Sequence, residues 1–376
     1  MNQPDRPSPV EDPVAVFEAA LAERRARPLY LRYREIRDWV LRLASAEAPE
    51  DTPSAYWREE LGGFDYILDA SPLILEKLRH HSYHLTGLKV YDYRSGKDDR
   101  IPAFAAKMAM LETVAGGRDL FVPEATELGG FGFEIGGALV NVDTLKFWEV
   151  MIALDKAAVL GGLREAEAAG ERPVVWEIGA GWGGFARVFK TLMPGATYAI
   201  VDLPETMLFS ALYLGHLFPE AKIHLYMPGG PAPDWTADFL FFAHTELDAL
   251  RPPRLDLALN MVSFQEMTAA QVRSYVEAAW ERGAPFLYSL NRERSPYNTE
   301  LESVSAILGE RFWPHEIPVL DLPYTRLPEP GATQRVAKAR DAGAKSKKTA
   351  KEREAKPAAK TARGYRHIVG WRKSEP

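Results

Sequence analysis

Within eight residues, Glu177-Ile178-Gly179-Ala180-Gly181-Trp182-Gly183-Gly184 supplies one acid and four glycines. An apolar run (Val174, Val175, Trp176) precedes the octet, and an amphipathic stretch over 185–192 follows it, ending at Pro194-Gly195. A second β-type run over 198–201 then delivers Asp202. Strand, glycine turn, helix, strand and terminal acid form half of a nucleotide-binding βαβ unit. Glycines let backbone approach a ligand closely, and a helix N-terminus offers free N–H groups. An acid about 20 residues past the glycines suits the two hydroxyls of a ribose. The chemistry expected here is capture of a nucleoside-type cofactor; the plain alternative is a tight turn with no ligand.

The spacing satisfies two patterns. Gly179, Gly181 and Gly184 match the dinucleotide spacing G-x-G-x-x-G, whereas Gly179, Gly181 and Gly183 match the G-x-G-x-G of S-adenosylmethionine (SAM) sites. Glu177 favours SAM. A carboxylate two residues before the first glycine can accept hydrogen bonds from a cationic amino-acid group, but it would repel a pyrophosphate. The cofactor residues expected are Glu177, Gly179, Gly181 and Gly183, with Trp182 as a wall, Asp202 on the ribose and Leu203 along the adenine. Asn260 joins them from a later strand end, where open α/β sheets place their ligands.

Further runs carry a family resemblance: Arg79-His80-His81-Ser82-Tyr83-His84-Leu85-Thr86-Gly87, Asn141-Val142-Asp143-Thr144-Leu145, and Val201-Asp202-Leu203-Pro204-Glu205-Thr206. Asn260-Met261-Val262-Ser263-Phe264-Gln265-Glu266-Met267 and Tyr365-Arg366-His367 complete it. With the glycine loop, these runs make the chain resemble the sugar O-methyltransferase family over residues 70–325 and the last strand. The resemblance implies a class I SAM fold and methyl transfer to a sugar hydroxyl in a saccharide, glycolipid or glycosylated metabolite. It supplies no catalytic set, so the base is read from residue types. His80, His81 and His84 are three of eight histidines within five residues, and helical backbone would bring i, i+3 and i, i+4 pairs together. A neutral imidazole suits a hydroxyl proton, so His81 and His84 are catalytic candidates, and Glu266 is a third. Tyr83 and Gln265 are candidate acceptor contacts, as are Tyr91, Tyr93 and Arg94. Surface pairing is the alternative for the histidines. For Glu266 it is a capping box from Ser263, although Thr268 with Gln271 is the better cap. No spacing marks a metal site, and metal dependence stays open.

Two rival functions remain: a nicotinamide oxidoreductase using the same loop, and a non-catalytic methyltransferase-like subunit that only binds a partner.

These residues require positioning elements. Residues 1–12 read as a Pro- and Asp-rich leader and 13–140 as a mostly helical cap or assembly region, through which a homo-oligomer would form. Residues 141–376 read as the SAM domain. Gly129 to Gly137 form a second glycine-rich stretch, read as a lid or, less well, a second phosphate loop. One helix over 142–168 leads into the first strand. Strands over 174–178, 197–201, 222–226, 255–260 and 285–290 alternate with helices over 184–192, 204–217 and 269–281, implying a doubly wound, Rossmann-like sheet. Residues 239–243 compete for a strand slot. Late β patterns over 313–320 and 365–371 match an antiparallel edge, with a disordered basic insertion over 331–364 between them.

Composition sets the bounds. With 376 residues, 46% of them hydrophobic, the chain can bury a sizeable core. It has no cysteine, which excludes disulfides, thiolate metal sites and a cysteine nucleophile. Residues 331–364 hold 11 Lys/Arg and 3 Asp/Glu, so the net charge of −6 divides into +8 there and −14 elsewhere. An acidic body argues against nucleic acid as a partner. The absence of a signal-type apolar core or a span of about 18 apolar residues leads to the expectation of a cytoplasmic protein with no membrane span.

Overall fold

The computed structural model describes residues 12–46, 57, 60–63, 65–293, 301, 303–328 and 364–374. The leader before residue 12 and all but the last residue of the 331–364 insertion lie outside the described residues.

Among the described residues ten strands form in chain order: β1 Phe133–Ile135, β2 Ala138–Val140, β3 Val174–Ile178, β4 Thr197–Asp202, β5 Ile223–Leu225, β6 Phe239–Ala243, β7 Leu257–Met261, β8 Phe286–Asn291, β9 Phe312–Glu316 and β10 Arg366–Arg372. The helices are α1 Pro13–Arg25, α2 Pro28–Ala46, α3 Pro72–Leu75, α4 Leu78–His81, α5 Tyr83–Thr86, α6 Ile101–Ala115, α7 Val142–Lys156, α8 Val159–Ala168, α9 Gly184–Leu192, α10 Pro204–Leu217, α11 Ala269–Glu281 and α12 Val304–Arg311. Eight strands make one sheet in the order β5-β6-β4-β3-β7-β8-β10-β9. It is parallel from β5 to β8 and antiparallel at β10 and β9. This is the doubly wound, Rossmann-like class I sheet expected, with β5 at its edge.

Both faces of the sheet are buried, so the central strands read as continuous apolar runs rather than alternating ones. Val174, Trp176 and Ile178 pack with Leu240, Phe242 and the helices α11 and α12. Val175, Ile200, Phe241 and Leu259 face the other way, into a core shared with α2, α7, α9 and α10. Helical N-terminal residues enter that same core: Tyr33, Trp39 and Val40 are buried in it, and the Trp39 indole N–H donates to the Tyr226 carbonyl at 2.7 Å.

Three expectations change. The helix over 142–168 is two helices, because Ala158 takes a left-handed φ of 60°. Residues 223–225 and 239–243 are both strands, paired in parallel. The stretch from Gly129 to Gly137 is neither a lid nor a phosphate loop. It is a short turn and an antiparallel hairpin, Phe133 pairing with Val140, whose Phe133 is buried in the core.

Candidate functional site

The parallel strands β3, β4, β6 and β7 all end at one edge of the sheet, and an open cleft of about 1110 Å³, mouth included, lies there. Ligands of open α/β sheets bind outside the carboxyl ends of such strands. Each strand end contributes: Glu177 and Gly179 from β3, Asp202 and Leu203 from β4, His244 from β6, Met261 and Val262 from β7. The turn after β7 is strained, since the β-branched Val262 has φ 59°. Such strain persists only where the surroundings enforce it; here the Val262 N–H is tied to the Leu290 carbonyl at 2.9 Å.

Glu177 is 1% exposed. Burial pushes its carboxyl up to about 8, against a hydrogen bond from Tyr198 whose hydroxyl donates to Oε2 at 2.9 Å. Asp202 is fixed by two backbone donors, Gly181 N to Oδ2 and Leu203 N to Oδ1, both at 2.8 Å. Burial raises its carboxyl above the ordinary value, while these bonds pull the other way. Each oxygen keeps lone-pair capacity for a further donor.

The glycines divide by purpose. A Cβ on Gly181 (φ +58°) would meet no atom within 4 Å, so this residue leaves the cleft floor open. A Cβ on Gly179 would sit 2.3 Å from Ser263 Oγ, one on Gly183 would press α10 at Ser210, and one on Gly184 would enter the Trp182 ring. Gly183 therefore serves helix packing and is not among the residues lining the cleft. Trp182 touches the cleft but is 5% exposed, with the Arg79 guanidinium 3.8 Å from its ring centre. It is as much a packing residue as a wall.

Asn260 stands apart from the cleft lining. It is fully buried and brackets the strand ends. Its Nδ2 donates to the Ile178 carbonyl at 2.7 Å and to Ser263 Oγ at 2.6 Å, and its Oδ1 accepts from Phe264 N and Asn291 Nδ2. Gln265 is buried likewise, accepting from Arg292 N and donating to Glu266 Oε1. Thr268 and Gln271 form the capping box of α11, which leaves Glu266 outside it.

The histidine run is helical but breaks at Ser82 into two single turns, α4 and α5, so the i, i+4 face does not form. His81 Nδ1 lies 2.8 Å from the Tyr66 hydroxyl, His80 packs on Phe131, and His84 stacks on Tyr83 at 3.8 Å. Burial lowers all three below the ordinary histidine value. None of them lines the cleft, but Leu85 and Thr86, directly after His84, do, as does Met267 after Glu266. Tyr83 is 38% exposed outside the lining. Tyr93 is buried, its hydroxyl accepting from Val142 N at 3.1 Å.

Several lining residues have no site role in the reading by motif: Lys146, Thr206, His244, Gln271, Tyr275 and Tyr324. Lys146 directly follows the run Asn141 to Leu145 already singled out, which is the one signal that pointed near it. Behind it lies a buried charge lattice. Arg79 Nε meets Glu124 at 2.8 Å and its terminal nitrogen meets Asp143 Oδ2 at 2.8 Å. Asp143 Oδ1 takes Lys146 Nζ at 2.9 Å. Among the described residues no group of three or more His, Cys, Asp or Glu is placed to hold a metal ion, and no helix is long and apolar enough to cross a membrane.

The glycine cradle, the buried Glu177 carboxyl and Asp202 fit SAM: an acid in want of a cation, an open floor and an acid for hydroxyls. No protein-family model matches the chain, and no curated protein matches it. Solved structures similar to it include WbdD at 15% identity and TM-score 0.32, where the match covers 55% of this chain and 43% of that one. The N-methyltransferase NodS from Bradyrhizobium japonicum WM9, in complex with S-adenosyl-L-homocysteine, is similar at 15% identity and TM-score 0.28, over 42% of this chain and 74% of that one. An O-methyltransferase family protein from Burkholderia thailandensis is similar at 13% identity and TM-score 0.31, over 62% and 60%. This chain thus spans less than half the length of WbdD, and at these values none of the three bears on what it binds or does.

Proposed function

We infer that the chain is a SAM-dependent O-methyltransferase acting on a sugar hydroxyl. The observation that carries the SAM assignment is Glu177, a carboxyl buried at the base of the cleft beside the glycine turn. Burial keeps it protonated at neutral pH, so a cationic group arriving there would find a partner that ionises to meet it. Asp202, held by Gly181 and Leu203, is oriented to accept from ribose hydroxyls, and Leu203 offers its apolar side chain beside it. Bound SAM would supply a methyl already activated on a sulfonium, leaving alignment and removal of one proton to the protein.

The sugar acceptor rests on the sequence resemblance, with aromatic faces at Trp57 and Tyr324 in the cleft as surfaces for a sugar ring. The base is one of His81, His84 or Glu266. Histidines lowered by burial favour the neutral imidazole, the form that accepts a proton. Burial raises Glu266 toward the working range of a base. In this reading residues 13–140 form the helical region that covers the mouth, and 141–376 carry the cofactor.

Two measurements test it. In a thermal-shift assay SAM should stabilise the chain and NAD should not; NAD stabilising alone would make it an oxidoreductase, and neither ligand acting would make it a binding subunit. Methyl-labelled SAM with a panel of nucleotide sugars and glycans then tests the acceptor. Label appearing only in a non-sugar small molecule would remove the sugar from the assignment.

A further inference from the structure

Among the described residues lining the cleft, Lys146 is the one lysine or arginine. It stands on the first turns of α7, whose start is fixed by a capping box of Asn141 and Thr144. Its side chain is 14% exposed, and its Nζ meets Asp143 Oδ1 at 2.9 Å. Asp143 cannot follow a moving lysine, because its other oxygen is bound by Arg79 at 2.8 Å. Arg79 is fixed in turn: Glu124 takes its Nε, Ser82 Oγ lies 2.6 Å from another nitrogen, and its side chain is wholly buried. Glu124 is itself held by Asn141 Nδ2 at 2.9 Å. The result is an ammonium on a short leash, aimed into the same cleft as Glu177. Burial alone would raise the Asp143 carboxyl, but Lys146 and Arg79 together hold it below its ordinary value, so the leash carries a full negative charge at neutral pH.

An α-amino acid carries an ammonium and a carboxylate on one carbon. A cleft wall with one carboxyl seeking a cation and one tethered ammonium nearby is complementary to both charges at once. Resting on the SAM reading above, we propose that Lys146 anchors the carboxylate of the donor's amino-acid end, and that Asp143, fixed by Arg79, is the positioning residue that aims it. The assignment makes the N-terminal segment carrying Arg79 part of the cofactor site, although that segment supplies no atom to the cofactor.

Calorimetric titration separates this proposal from the reading it rests on. The probes are S-adenosyl-L-homocysteine, its analogue lacking only the carboxylate, and 5′-methylthioadenosine, which lacks the whole amino-acid end. Lys146→Met should weaken S-adenosyl-L-homocysteine binding by about tenfold or more and leave both truncated probes within about twofold. Lys146→Arg should keep most of the affinity. Asp143→Asn should weaken S-adenosyl-L-homocysteine only, and add nothing to Lys146→Met in the double variant. Unchanged S-adenosyl-L-homocysteine binding in Lys146→Met overturns the anchor, as does equal loss of all three probes. A wild-type chain that binds none of the three overturns the SAM reading itself, and the anchor with it.

Discussion

Glu177 carries the proton that a cationic ligand would displace. In the folded chain its carboxyl stands at about 8, against an ordinary value of 4.5. The folded state therefore keeps a proton that the unfolded state releases. The stability this residue contributes is full below pH 4.5 and is lost as pH rises through about 8, with a slope of at most about 1.4 kcal/mol per pH unit. Glu177→Gln should flatten that slope in the ligand-free protein, measured as the urea midpoint across pH. Binding SAM should force Glu177 to ionise, so about one proton should leave per SAM bound near pH 7. Titrations at one pH in two buffers of different ionisation enthalpy count that proton. Heats that do not depend on the buffer near pH 7 would mean that Glu177 does not meet the cationic group.

At the scale of elements, the octet's spacing identifies the turn between β3 and α9, but not why each glycine is there. Three of the four make room for protein: Gly179 for Ser263, Gly183 for α10 and Gly184 for Trp182. Those neighbours come from elsewhere in the fold, and no local pattern announces them. Gly184 tests this account. A Cβ there would lie 2.2 Å from the Trp182 ring, and that ring is held from its face by Arg79 at 3.8 Å, so it has little freedom to give way. Gly184→Ala should cost about 1–3 kcal/mol, the usual range for overpacking. Gly162→Ala makes the contrast. It lies exposed on α8 with nothing within 4 Å of the added carbon, and should gain about 0.5–1 kcal/mol by lowering the backbone entropy lost on folding. Urea midpoints of the two variants moving in the same direction would show that the octet's packing is looser than these distances indicate. The histidine run shows the converse limit: helical spacing was legible, but the break at Ser82 comes from Arg79 binding Ser82 Oγ beneath it, a contact set by tertiary packing.

At the scale of the whole molecule, the alternation of β and α elements and the acid after β4 were legible because they are periodic and local. The place of the helical N-terminal residues was not. Their contacts run to distant partners, as Trp39 does to Tyr226, and some of their charged residues lie in the core, where composition alone does not place such residues. Lys107 is the clearest case. It is fully buried on α6, with Nζ 2.8 Å from Glu149 of α7 and 2.8 Å from the Tyr324 carbonyl. The other Glu149 oxygen lies 3.4 Å from His367 Nε2 on β10, whose Nδ1 meets the Tyr288 hydroxyl of β8 at 2.7 Å. One chain of polar contacts thus ties a helix of the N-terminal region, a helix under the sheet, two strands and a residue of the cleft. Removing only the cation should be severe, because Glu149 would stay buried without the charge that compensates it. Lys107→Met should cost about 3–5 kcal/mol. The double variant Lys107→Met/Glu149→Leu removes both charges and should recover a large part of that loss, because an apolar pair of similar volume is often neutral or better in such a place. Urea unfolding of the wild type, the single variant and the double variant reads the difference. A double variant less stable than the single would show that Glu149 is worth more to His367 than to Lys107, and that the tie runs through β10 rather than through α6.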